Sequence, residues 1–243
     1  MADLAAQGYS PAFDLPARSC GPLVHYMLAA VPRTGSSFLA HELWRTGDLG
    51  VPLEYLNFKS DGHYPDAAGD REAQLRHWRR TLATRTTSNG VFGQKMFLQF
   101  LVQLKEENPA LLKEMRPHRI VYLTRSDRMA HMISYARAQQ SGVWTAGATP
   151  TGDSRYSRAL LEQAAERIEK QERGWEWLFS QLGIDPLRVT YEEVASDVTF
   201  VVERIADYLG VELSRSRALS APELRRQADE LSHEWARSYR SGA

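Results

Sequence analysis

The stretch from Val24 to Leu43 limits what this chain can become. An apolar run, Val24-His-Tyr-Met-Leu-Ala-Ala-Val31, leads into Pro32-Arg-Thr-Gly-Ser-Ser37, after which Phe38, Leu39 and Leu43 follow a helical spacing. A strand, a tight loop and a helix in that order put a helix N-terminus at the strand's carboxyl end. The first-turn amides of such a helix lack intrahelical acceptors and carry the positive end of its dipole, so the loop suits an anion such as phosphate. Gly35 allows close backbone approach, Thr34, Ser36 and Ser37 supply hydroxyls, and Arg33 adds a forked permanent cation. A Ser/Thr helix cap after a turn is the plainer reading of the same residues.

The loop has no Gly-Lys-Ser/Thr ending, and so no hydroxyl placed after a lysine to hold magnesium, which argues against a metal-nucleotide hydrolase. Charge narrows the classes further. Lys plus Arg and Asp plus Glu both number 30, so an anion site must be local and no nucleic-acid footprint is expected. The single cysteine, Cys20, excludes an intramolecular disulfide and a cysteine zinc cluster, and fits a reducing cytoplasm. No apolar run reaches membrane-spanning length, and Asp3, Pro11 and Asp14 interrupt the place of a signal peptide. The expected location is cytoplasmic.

The 243 residues read as an irregular arm over 1–22 and one domain over 23–243. The arm is expected to pack on the body or on a second subunit. The first helix should end near Thr46-Gly47, and Leu49–Phe58 should return beside the anion loop. Residues 59–71 form a long Gly/Pro-bearing loop of the kind that carries function. A helix is expected over Glu72–Arg85, with Leu75, Trp78, Arg79 and Leu82 near one face, and a strand over Val91–Phe97. Two short helices (Phe97–Lys105, Pro109–Met115) precede a buried strand, Arg119–Thr124, and Arg125-Ser-Asp opens the next helix. After a loop at 141–156, Ser157 caps a long helix ending at Gly183, with a stripe of Leu160, Leu161, Ala164, Ile168, Trp175, Leu178 and Leu182. A strand over Leu187–Tyr191, a helix over Val198–Leu209 and a polar helix over Ala221–Tyr239 complete the chain. The alternation predicts an α/β fold: a P-loop-like parallel sheet flanked by helices, with ligands beyond the strand C-termini.

Two strands therefore end in anion-friendly turns. Arg125 at the second can fork onto a phosphate, and Ser134 lies about two and a half turns along the following helix. A surface salt bridge for Arg125 and plain packing for Ser134 stay open on the residues alone.

These parts together resemble the cytosolic-type sulfotransferases that use 3′-phosphoadenosine 5′-phosphosulfate, and among them the bacterial carbohydrate branch typified by trehalose 2-sulfotransferase. The resemblance spans about residues 24–240. It rests on Arg33-Thr-Gly-Ser-Ser37, Gly50-Val-Pro-Leu-Glu54, Asn89-Gly-Val-Phe-Gly-Gln-Lys95, Arg125 with Ser134, Glu172-Arg-Gly-Trp-Glu-Trp177, Val189-Thr-Tyr-Glu-Glu193, and Arg226-Gln-Ala-Asp229 followed by Glu234-Trp235. It implies that residues 33–37 grip the 5′-phosphosulfate, Arg33 near the bridging oxygen, while Arg125 and Ser134 take the 3′-phosphate. Tyr191 matches a nucleotide-contacting tyrosine, and Arg225 and Arg226 can close over the nucleotide. Phe38 sits where many relatives stack adenine, but core packing is the expectation here.

In that branch a glutamate just after the first helix takes the acceptor's proton, and Glu54 matches it. His63 is a lesser rival in the acceptor loop; His41 and His77 are expected to be solvated or packed. Lys95 is a candidate contact to phosphosulfate or acceptor, and Tyr55, Phe58 and Tyr64 are candidates for sugar stacking. Trp175 and Trp177 read as helix packing. Val51 stands where the trehalose enzymes carry an acidic residue, which argues against trehalose itself. The expectation is thus sulfuryl transfer to a hydroxyl of a carbohydrate, glycolipid or hydroxylated metabolite, without a metal, in a chain for which the resemblance suggests a homodimer. The rivals are an ATP-dependent phosphotransferase and a non-catalytic nucleotide-binding module.

Overall fold

A computed structural model describes residues 8–58, 63–144, 148–219 and 230–242. Four strands, β1 (Val24–Ala30), β2 (Val91–Phe97), β3 (Arg119–Thr124) and β4 (Leu187–Thr190), form an all-parallel sheet in the order β2-β1-β3-β4. β1 is central and buried along nearly its whole length, which is why its sequence is an unbroken apolar run. The chain leaves β1 for β2 on one side and comes back to β3 on the other. That reversal makes the carboxyl ends of β1 and β3 the topological switch point, where α/β sheets open a crevice.

The helices are α1 (Ser36–Arg45), α2 (Arg71–Arg85), α3 (Leu98–Glu107), α4 (Pro109–Glu114), α5 (Arg128–Ser141), α6 (Arg158–Leu182), α7 (Tyr191–Ser196), α8 (Val198–Leu209) and α9 (Glu230–Ser241). Their ends follow local chemistry. Asp127 caps α5, Ser157 caps α6 and Asp197 caps α8, each by accepting a hydrogen bond from an amide three residues on. Gly183 and Gly210 stop α6 and α8 in the left-handed conformation. None of the described helices is long and apolar enough to cross a membrane.

Three expectations need correction. Tyr191 is not the last residue of a strand but the first of α7, because Thr190 and Glu193 close a reciprocal capping box that starts a helix there. On α6 the buried stripe is Leu161, Ala164, Ile168, Trp175 and Phe179; Trp177 and Leu182 are exposed. Arg79 on α2 faces outward and pairs with Glu114. The expected helix over 221–239 is seen from Glu230 onward; residues 220–229 lie outside the described residues.

The described part of the arm packs on the body. Leu15 and Arg18 donate their amides to the carbonyls of Thr84 and Ala83, and Phe13 meets Trp44 edge to face. A short 3-10 turn at Pro11–Phe13 carries the Phe13 contact and precedes the other two.

Candidate active site

The loop after β1 is pinned from beneath. Trp175 Nε1 donates to the Ala30 carbonyl at 3.0 Å, His131 Nε2 bonds the Pro32 carbonyl at 2.9 Å, and Thr34 Oγ1 donates to Val31 at 2.9 Å. Thr34 is fully buried, so its hydroxyl fastens the loop and does not face a ligand, contrary to the sequence expectation. Above these anchors Arg33 and Gly35 both take left-handed backbone, with φ of 73° and 80°. For a non-glycine residue that conformation is costly, and such strain concentrates at functional sites. α1 then begins at Ser36 with no side chain capping its first amides.

Register brings the remaining parts to this loop. Thr124 on β3 pairs with Thr190 on β4, so the next residues, Arg125 and Tyr191, emerge side by side. The Arg125 guanidinium lies 4.5 Å from the Tyr191 ring centroid, and the same ring packs on Gly35. Arg125 Nη1 also donates to the Arg33 carbonyl at 3.3 Å, while Arg33 Nε donates to Ser134 Oγ at 3.0 Å and Arg33 Nη1 bonds the Trp144 carbonyl. Arg33, Gly35, Ser36, Ser37, Arg125, Ser134 and Tyr191 line one cavity of about 1470 Å³. That exceeds the roughly 300–1,000 Å³ usual for one ligand and leaves room for two reactants.

The electrostatics of this cavity ask for an anion. Burial, followed by the nearby guanidiniums of Arg125 and Arg137, lowers the Arg33 pKa to about 10. Burial likewise lowers that of Arg125, whose Nε is buried with no hydrogen-bond partner among the described residues. Arg33, Arg125 and Arg137, three of the arginines lining this cavity, are stabilised by bound negative charge, Arg125 having an orphaned donor among the described residues. Glu192 braces the second loop by accepting from the amides of Ser126 and Asp127, both at 3.0 Å. Burial alone would raise its pKa, but these bonds outweigh it and the net shift is downward.

A second parallel register places the carboxylate. Leu53 bridges to Gln94 on β2, which sets Glu54 beside Lys95. Lys95 Nζ lies 2.8 Å from Glu54 Oε1 and 2.8 Å from Ser37 Oγ. Glu54 lines the cavity; Lys95 is buried behind it and Ser37. Ser37 and Glu54 are thus joined through one ammonium.

The Stf0 sulphotransferase family matches residues 25–242. The chain belongs to that family. It is a sulfotransferase, and two curated relatives match over most of both chains. The trehalose 2-sulfotransferase of Mycobacterium tuberculosis (strain Erdman) is 27% identical over 256 residues, covering 90% of this chain and 95% of that protein. Its counterpart from Mycolicibacterium smegmatis is 26% identical with the same coverage. Among solved structures, the sulfotransferase domain of the Synechococcus PCC 7002 olefin synthase shares the fold, with a TM-score of 0.51 at 13% identity over 93% of this chain and 98% of that one.

Several residues of this Stf0 sulphotransferase sit elsewhere than expected. Tyr55 is fully buried, stacked near Phe92 with its hydroxyl on the Val51 carbonyl, and Phe58 is buried against His77. Neither lines the cavity; Asn57 and His63 do. Val51 is itself fully buried and does not line the cavity. Phe38 packs against the core as expected, and its half-buried ring also lines the cavity. His41 and His77 are packed. Residues 59–62, Arg225 and Arg226 lie outside the described residues.

Sequence reasoning missed Arg137 and His131, each three residues from Ser134 on α5 and so on its face. That spacing was the available signal.

Proposed function

We propose that this sulfotransferase moves the sulfuryl group of 3′-phosphoadenosine 5′-phosphosulfate to a hydroxyl of a carbohydrate, glycolipid or hydroxylated metabolite, with Glu54 as the general base. The observation that carries this reading is the meeting of Arg33, Arg125 and Ser134 on one cavity whose wall also holds Glu54. The acceptor oxygen attacks sulfur, the bond from sulfur to the bridging phosphate oxygen breaks, and the hydroxyl proton passes to Glu54 Oε. Arg33 and the uncapped first turn of α1 offset the charge that builds on the departing phosphate. Arg125, Ser134 and Tyr191 hold the 3′-phosphate end and the nucleotide.

Lys95, from behind, holds both Ser37 and Glu54 and so ties the donor side to the acceptor side. Asn57 and His63 form the acceptor wall. Trehalose stays among the acceptors to be tested, given the names of both relatives. The reading keeps a cytoplasmic, metal-independent enzyme and a homodimer.

The deciding measurement is calorimetry of adenosine 3′,5′-bisphosphate against ADP and ATP, run first without metal and then with magnesium. Preference for the bisphosphate, lost in Arg125→Ala, is the expected result. Binding of ATP alone, and only with magnesium, would replace this reading with a phosphotransferase.

A further inference from the structure

The arm reaches the reaction side of the cavity through one residue. Glu54 donates its backbone amide to Tyr9 Oη at 3.1 Å, and the Tyr9 ring stacks on His63 with centroids 3.6 Å apart and planes 15° from parallel. His63 lines the cavity. Tyr9 also meets Tyr64 edge-on at 6.0 Å. One phenol thus touches both the backbone of Glu54 and the back of a cavity-wall imidazole.

Its own position is fixed on both sides. Arg85, only 3% exposed, donates Nη1 to the Gly8 carbonyl at 2.9 Å and Nη2 to the Ser10 carbonyl at 3.0 Å, and Nη2 also pairs with Asp14 at 3.0 Å. A buried guanidinium is tolerated only when its donors are satisfied, and here they are spent on the two carbonyls that flank Tyr9. The phenol's pKa is held well above its ordinary value by burial and then by the Glu54 carboxylate, so it stays a neutral hydroxyl.

We propose that Tyr9 is a positioning residue for the acceptor half of the reaction: it sets Glu54 through the backbone and His63 through the ring, making the N-terminal arm part of the catalytic apparatus. The inference rests on Glu54 as base. An error of about 1 Å in such a group is enough to cost about a hundredfold in rate, while the donor site, built on the β1 and β3 loops, does not depend on it.

Tyr9→Phe keeps the ring and removes the hydroxyl; Tyr9→Ala removes both. Three readouts are taken: amide hydrogen exchange at Glu54, bisphosphate affinity, and steady-state release of bisphosphate from the donor with saturating trehalose or with water alone. In Tyr9→Phe exchange at Glu54 should quicken about tenfold and kcat fall about tenfold, with KM for the donor and bisphosphate affinity within about twofold of wild type. Tyr9→Ala should lower kcat further. Unchanged exchange in Tyr9→Phe overturns the contact, and faster exchange with unchanged kcat overturns the positioning role. A wild-type protein that neither binds bisphosphate nor releases it removes the donor reading instead, and the exchange result still stands on its own.

Discussion

Lys95 Nζ stands 2.8 Å from Glu54 Oε1, with the lysine side chain 2% exposed and the glutamate 11%. A buried ammonium needs its partners, and these are Glu54 and Ser37. Glu54→Gln keeps the volume and an acceptor for Lys95 but cannot take a proton. Turnover should fall at least about a hundredfold with bisphosphate affinity retained. Lys95→Met should instead destabilise the fold by about 3 kcal/mol and lower Tm by roughly 6–12 °C, because it leaves a carboxylate without its cation. Calorimetry and thermal melts on the pair separate the two roles; a Glu54→Gln enzyme with full turnover excludes that residue as base.

Arg33 sits at φ 73°, where glycine is at ease and arginine is not. Arg33→Gly should therefore leave stability unchanged or raise it by about 1 kcal/mol. Bisphosphate affinity should nevertheless drop about tenfold or more as a forked cation is lost. Loss of both stability and binding would mean that Arg33 holds the fold and is not strained for function.

A Cβ on Gly35 would lie 2.6 Å from Tyr191 Cδ2, and the glycine's φ is 80°. Gly35→Ala should push the Tyr191 ring off its seat against Arg125 and cost about 1–3 kcal/mol. Bisphosphate binding should weaken with it. Tyr191→Ala alone should reproduce the binding loss without the backbone penalty, which comparative titrations and melts would resolve.

Arg125 has a buried Nε without a partner among the described residues and lies against Tyr191. Arg125→Ala should weaken adenosine 3′,5′-bisphosphate by about 10- to 100-fold and ADP, which lacks the 3′-phosphate, by much less. Equal losses for both nucleotides would move Arg125 away from the 3′-phosphate.

Burial is the leading cause that lowers His25, His77 and His131 from 6.5 to about 4. In the unfolded chain these imidazoles take up protons near pH 6.5, so between 6.5 and 4 the unfolded state binds more protons than the native one. Stability must then fall as pH drops through that window and level off below about 4. His131, which is fully buried, contributes on the order of 3 kcal/mol. His131→Gln should flatten part of the dependence of Tm on pH; an unchanged slope would show that His131 is not held neutral.

Much of the fold was legible because its signals are local. The β1 apolar run, the Asp127 and Ser157 caps and the Gly183 and Gly210 stops all act within a few residues of themselves. Misreadings arose where a side chain had two local options. The β-favouring Leu187–Tyr191 run was cut short by the Thr190 and Glu193 capping box, and Thr34, one hydroxyl among three, turned inward to Val31. Tyr55 looked like a sugar platform by its place near Glu54, but its ring turns into the core beside Phe92 while Glu54 lines the cavity.

The sequence alone determined the parallel α/β plan, the anion-suited loop at Arg33–Ser37 and the cation at the end of β3, since strand periodicity and helix starts are written in neighbouring residues. Only the tertiary structure decided which residues meet. Pairing of Leu53 with Gln94 made partners of Glu54 and Lys95, pairing of Thr124 with Thr190 laid Arg125 on Tyr191, and Arg85 carried Tyr9 to Glu54 across 45 residues of sequence. Those contacts come from sheet register and from the satisfaction of buried polar groups. Both are properties of the folded packing and leave no local pattern in the chain.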